Sequence, residues 1–163
     1  MAEIWDAYDR QFNKIEGAEL IRGEKIPEGL YHLVCDIIVR HVDGTYLLMR
    51  RDLRKHFGGM WELTAGGSAL KGETPMDCAI RELKEETGIE ASDLREVKRI
   101  AHDIHRSLYV EYLCVTDWDK TAITLQEGET IDYRWVTKEE ILQMTDEEIA
   151  SSKAVKILRD GEI

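Results

Sequence analysis

The stretch from Gly66 to Ile89 reads GGSALKGETPMDCAIRELKEETGI, and the interpretation of the whole chain turns on it. Two glycines lead towards Glu73; Thr74 and Pro75 then stand where a helix begins, and Asp77 completes a capping box of the Thr-x-x-acid type. The helix is expected to run to Gly88. With Glu82 at zero on a wheel of about 100° per residue, Met76, Ala79, Ile80, Leu83 and Thr87 fall on one side, and Glu82, Glu85 and Glu86 on another. The first side is a core stripe. The second is a cluster of mutually repelling carboxylates that Lys84, directed elsewhere, does not neutralise. Such a cluster is either a solvated face or the ligand set of a hard divalent cation, since Mg²⁺ and Mn²⁺ take oxygen ligands and keep positions open for water and phosphate. The glycines before it let the backbone approach closely.

Spacing separates the two readings. Gly67, five residues, Glu73, seven residues, then Arg81-Glu82-Leu83-x-Glu85-Glu86-x-Gly88-Ile89 resembles the signature of the Nudix (MutT-like) hydrolases at every fixed position, the aliphatic sites Leu83 and Ile89 included. The resemblance implies an α/β fold, an α/β/α sandwich with a mixed central sheet. It implies a Mg²⁺ or Mn²⁺ cofactor held by Glu82, Glu85 and Glu86, with the Gly67 carbonyl as a further ligand. The activity implied is hydrolysis of a diphosphate linkage in a nucleoside diphosphate derivative or related small phosphate ester. Arg81 would orient the glutamates by ion pairing, and Glu73 would support the loop and helix start. The proton of the attacking water would go to a carboxylate of the cluster, Glu82 or Glu86, or to Glu127 or Glu129 from a distal loop.

Composition bounds the partners. The 163 residues suffice for one domain, and 22 Lys plus Arg against 33 Asp plus Glu leave a net charge of -11. That balance argues against a general affinity for nucleic acid or an anionic membrane surface, which needs a basic footprint. It leaves room for a small diphosphate substrate held through a metal. Cys35, Cys78 and Cys114 are widely spaced in apolar segments, as free buried thiols of a reducing compartment are. No apolar run has the length of a membrane span, and the acidic start MAEIWDAYDR is unlike a secretory leader; a soluble cytoplasmic protein is expected.

Residues 1–28 read as an N-terminal β extension and residues 29–163 as the main domain. Alternation of apolar and charged residues predicts a short strand or hairpin around Ile4–Ile15 with its turn near Gln11–Lys14. Trp5 and Tyr8 are expected to pack it onto the main sheet, and the aromatic segment is a candidate homodimer contact. Tyr31–Val42 and Tyr46–Arg50 flank Asp43-Gly44, a hairpin turn signal. His32 at the strand entrance reads as structural rather than as a ligand.

Arg50, Arg51, Arg54, Lys55 and His56 form the one concentrated basic stretch. Arg51, Arg54 and Lys55 are candidates to hold the non-reacting phosphate of a diphosphate, the alternative being a solvated loop. Trp61 either lines the pocket or covers the core. Leu94–His105 and Leu108–Thr116 read as strands, with His102 and His105 near the turn between them, and Ile131–Val136 as another. Capping boxes at Thr137 and Thr145 predict helices over Lys138–Met144 and Asp146–Arg159.

Two other classes compete. The run Lys55–Glu73 and the N-terminal Trp5-Asp6-x-Tyr8-Asp9 resemble the isopentenyl diphosphate isomerases of the same fold, but Gly66 stands where that family has its catalytic Cys and Ser68 where it has a metal-binding His. A non-catalytic nucleotide sensor would be marked by a lost metal carboxylate, and none is lost here. The motifs of coenzyme A, NADH and ADP-ribose hydrolases are absent, which leaves nucleoside di- or triphosphates and isoprenoid-like diphosphates as substrate classes.

Overall fold

The computed structural model describes residues 1–163. Strands β1 (Ile4–Tyr8), β2 (Lys14–Ile21), β3 (His32–His41), β4 (Tyr46–Arg51), β5 (Trp61–Glu62) and β6 (Thr64–Ser68) precede helix α1 (Pro75–Thr87). After it come β7 (Arg95–His102), β8 (Ser107–Thr116), β9 (Thr130–Val136), α2 (Lys138–Leu142) and α3 (Ser152–Arg159). No helix is long and apolar enough to cross a membrane.

β3 is the axis. It runs parallel to β8 from His32↔Ser107 to His41↔Thr116 and antiparallel to β6 from Val34↔Ser68 to Ile38↔Thr64. β7 flanks β8. With both edges of β3 occupied, the expected central hairpin survives only at its tip, Arg40↔Tyr46. β4 diverges there to pair with β9 and β5 instead. The result is the mixed central sheet expected from the sequence.

Helices cover both faces. Cys78, Ala79 and Leu83 of α1 pack on Cys35, Ile37 and Val110 in one apolar cluster, while Val155, Ile157 and Leu158 of α3 pack on Ile38, Leu48 and Leu113 in the other. Burial on two faces explains why β3 is a nearly continuous apolar run. The polar residue in its middle is Asp36, which stands opposite Glu111 of β8. Glu111 is 1% exposed, and neither of its carboxyl oxygens meets a donor. Burial and the facing Asp36 push its pKa up, and burial pushes Asp36 up as well. Two facing acids away from water disfavour the doubly ionised state.

The last helix is shorter than predicted. Thr145 does open a turn, with Glu148 bonded back to its amide at 3.0 Å. The backbone of Trp61 then inserts: its N–H donates to the Glu148 carbonyl at 2.9 Å and its carbonyl accepts from Ala150 N–H at 2.8 Å. Those groups are lost to a continuous helix, which starts only at Ser152.

The N-terminal hairpin is present but longer than predicted, and its turn comes earlier. Asp9 Oδ1 accepts the amides of Gln11 and Asn13 at 2.8 and 3.0 Å, closing an Asx-type turn before Lys14. The second strand continues to Ile21 and buries Leu20 against Trp5 and Ala7. Trp5 stacks on His32 with ring centroids 4.5 Å apart, and Tyr8 and Tyr31 exchange two backbone bonds of 2.9 Å. The Ile4 carbonyl and Asp6 carboxylate accept the amides of Lys71 and Gly72 at 2.9 and 2.8 Å, which fixes the hairpin beside the loop preceding α1.

Candidate active site

Helix α1 begins and ends as its sequence dictates. Thr74 Oγ1 accepts from Asp77 N–H at 3.1 Å, Asp77 accepts from Thr74 N–H at 3.4 Å, and Pro75 occupies the first turn. Gly88 closes it in the left-handed conformation, φ 80°, and donates to the Lys84 carbonyl at 2.9 Å. Between these ends the apolar stripe fixes the rotation of the helix, and the carboxylate face turns towards β6.

Backbone and carboxylates meet there at close range. A Cβ on Gly67 would stand 2.5 Å from Glu82 Oε1, and one on Gly66 would stand 2.2 Å from the Cys35 carbonyl oxygen. At Gly66 the obstacle is backbone and only glycine fits, whereas at Gly67 a side chain would displace the Glu82 carboxylate. The Gly66 N–H donates to Glu86 Oε2 at 3.2 Å.

Arg81 organises the rest. Its Nε and one terminal nitrogen bind Glu73 at 2.7 and 2.9 Å, and the second of these also reaches the Ser68 carbonyl at 3.2 Å. The other terminal nitrogen binds Glu82 at 2.8 Å and Glu85 at 3.2 Å. Glu73 in turn accepts the Leu70 amide at 2.7 Å. Burial pushes Glu73 up, but its bonds to Arg81 and to that amide outweigh it and leave its pKa lowered. Glu82 stays raised, burial prevailing over Arg81. Glu86 has no cationic partner; burial first, then the Glu82 charge, raises it well above the ordinary carboxylate range. Lys84 pairs away from the cluster, with Glu90 at 3.1 Å.

Above this face lies a cavity of about 400 Å³. Gly66, Gly67, Glu82 and Glu86 line one side of it, while Lys55, Gln126 and Glu129 come from two other loops. Lys55 and Glu129 form an ion pair, and the Glu129 carbonyl accepts the Asp52 amide at 3.0 Å, so those loops are joined. Leu70 is the only apolar residue in the lining.

The sequence-predicted residues divide accordingly. Glu82, Glu85, Glu86, Arg81, Gly67, Lys55 and Glu129 all border the cavity. Arg51, Arg54 and Trp61 do not. Arg51 is folded under its own loop, paired with Glu62 and bonded to the His56 carbonyl at 2.7 Å. Arg54 turns back to Asp52 at 2.9 Å, and Trp61 lies beneath the Arg134 guanidinium, 4.6 Å from its ring centroid. Proximity in sequence to the glycine loop does not bring Arg51 and Arg54 to the cavity, because Glu62, the His56 carbonyl and Asp52 hold them elsewhere. Glu127 is exposed and outside the cavity. Glu3, Arg22 and Gln126 border it without having been predicted; nothing in the local sequence of Glu3 and Arg22 places the hairpin ends beside α1.

The donor set suits a hard cation. Its carboxylates offer only oxygen, while the Gly67 carbonyl accepts from the buried Cys78 thiol at 3.5 Å. As the side chains stand, no three His, Cys, Asp or Glu groups converge for ligation, because Arg81 holds Glu82 and Glu85 to itself. Glu86 is half-buried, with a single hydrogen bond and no ion-pair partner.

Fold and site together define a carboxylate-lined cleft along the second half of a helix in an α/β/α sandwich. The NUDIX domain family matches residues 30–156. An uncharacterized Nudix hydrolase of Listeria monocytogenes is 34% identical over 140 residues, 85% of this chain and 82% of that one. An 8-oxo-dGTP diphosphatase of Proteus vulgaris is 32% identical over 98 residues, 60% of this chain and 85% of that one. In fold, the crystal structure of a Deinococcus radiodurans protein superposes with a TM-score of 0.76 at 19% identity, covering 97% of this chain and 98% of that one. The chain belongs to the Nudix hydrolase family.

Proposed function

We propose that the protein hydrolyses a diphosphate linkage in a nucleoside diphosphate derivative or related small phosphate ester, with Mg²⁺ or Mn²⁺ as cofactor. The observation that carries this is Glu86: a half-buried carboxylate without an ion-pair partner, beside Glu82, on the wall of the cavity. Glu82, Glu85, Glu86 and the Gly67 carbonyl would hold the cation. When bound, it would lower the pKa of a water and offset charge on the phosphoryl oxygens.

The chain's own groups have distinct tasks. Arg81 and Glu73 fix the rotamer of Glu82 through the bonds described above. Glu129 borders the cavity from outside the α1 cluster and is the carboxylate we assign as acceptor of the water's proton. Lys55, its partner, is placed to exchange Glu129 for a substrate phosphate. The isomerase alternative fails at Gly66, where the Cys35 carbonyl leaves no room for a side chain.

Nucleoside triphosphates enter the substrate range through the relative named 8-oxo-dGTP diphosphatase. The test is phosphate and pyrophosphate release from nucleoside di- and triphosphates, nucleotide sugars, dinucleotides and isoprenoid diphosphates, with Mg²⁺, Mn²⁺ or EDTA. Release that requires metal and is lost in Glu86→Gln is expected; release undiminished by EDTA would refute the reading.

A further inference from the structure

We propose that Arg22, carried by the N-terminal hairpin, is a substrate-positioning residue that binds the phosphate remote from the α1 carboxylates. The proposal rests on the diphosphate reading of the cleft. The hairpin lies outside the region matched to the family, which begins at residue 30. It nevertheless sends Glu3 and Arg22 to the cavity wall. Their backbones meet at the open end of the strand pair, where Arg22 N–H donates to the Glu3 carbonyl at 3.0 Å. The bonds from Ile4 and Asp6 to Lys71 and Gly72 hold that end against the loop before α1, so the guanidinium is carried on a fixed support.

Arg22 is the least committed cation in the cleft. Arg81 is bonded to three carboxylates and a carbonyl, and Lys55 is paired with Glu129. Arg22 makes one side-chain bond, to Glu3 Oε2 at 3.1 Å, and is 65% exposed. A guanidinium offers five donors in a planar fork that matches two phosphate oxygens. The cleft also holds five carboxylates, Glu3, Glu82, Glu85, Glu86 and Glu129. A cation at α1, with Lys55 once exchanged from Glu129, would compensate the phosphate beside the α1 carboxylates, but the remote phosphate needs a positive group of its own.

Glu3 behaves as a stand-in for that phosphate. The same Oε2 also accepts Trp5 Nε1–H at 3.2 Å, so Glu3 stays in place when Arg22 leaves it. Binding would exchange one oxyanion for another on the same guanidinium. This predicts that Glu3 opposes substrate binding, whereas a bystander ion pair on the surface would leave affinity untouched.

The test is calorimetric binding of methylenediphosphonate in the presence of Mg²⁺ to wild type, Arg22→Ala, Arg22→Lys, Glu3→Gln and the Glu3→Gln/Arg22→Ala double variant. Arg22→Ala should weaken binding about tenfold or more and Arg22→Lys should recover part of it. Glu3→Gln, which preserves shape, should tighten binding roughly two- to fivefold only while Arg22 is present. Equal affinity of wild type and Arg22→Ala, or a Glu3→Gln gain that persists without Arg22, overturns the assignment of Arg22 alone. A wild type that binds Mg²⁺ but no diphosphonate overturns the diphosphate reading, and this proposal with it. Matching thermal melts of the Glu3→Gln variant and wild type exclude misfolding as the cause of a change.

Discussion

Glu86 and Glu111 are both carboxyls pushed up by burial, and they differ in what lies around them. Glu86 opens on the cavity, where a cation can reach it; Glu111 is sealed between the sheet and α3, with Asp36 opposite. Ionising Glu86 without metal costs stability, so Glu86→Gln should raise the melting temperature of metal-free protein while lowering turnover roughly 10²-fold or more. Thermal melts in EDTA and kinetics in Mg²⁺ check the two halves. For Glu111 the folded pKa lies above the unfolded one, so the folded state binds more protons and stability declines as pH rises from the ordinary carboxylate range towards the folded pKa. Glu111→Gln, which keeps one donor for Asp36, should flatten that decline in urea unfolding followed across pH. Asp36 and Glu111 were not singled out in the sequence, because their facing each other depends on the parallel register of β3 and β8.

At the scale of the element, α1 positions the whole site, and its start is set by one side chain. Thr74→Ala removes the bond to Asp77 N–H and should cost about 1 kcal/mol, measured as a shift of the urea midpoint. Turnover should fall less than with Glu86→Gln, since the apolar stripe still fixes the rotation of the helix. This element was legible because caps, stripe and carboxylate face all sit within one short run of sequence. α3 was not, because the Trp61 backbone that interrupts its predicted start comes from far away in sequence. The same limit explains Arg51 and Arg54: their charge was readable, but the direction of their side chains was set by Glu62, Asp52 and the His56 carbonyl.

At the scale of the molecule, the hairpin and the sandwich are joined through His32, which stacks on Trp5 and bonds Ser107 Oγ at 2.6 Å. Burial, then the charge of Arg22, depresses the His32 pKa from 6.5 to about 4. A histidine depressed in the folded state contributes stability that is full above its unfolded pKa and is lost as pH falls towards the folded one. Between about pH 7 and about pH 5 that loss should amount to roughly 1–2 kcal/mol after allowance for solvent screening. His32→Gln should abolish this part of the pH dependence, with Trp fluorescence reporting the Trp5 environment. The sequence indicated that the hairpin exists and that Trp5 packs; that its ends border the cleft followed only from the bonds to Lys71 and Gly72.

The central claim is that the α1 carboxylates hold a divalent cation, and it is tested most directly by titrating Mn²⁺ into wild type and Glu86→Gln by electron paramagnetic resonance. The account predicts saturable binding by wild type, displaced by Mg²⁺ and weakened at least about tenfold in the variant. Equal Mn²⁺ affinity of the two proteins would contradict it.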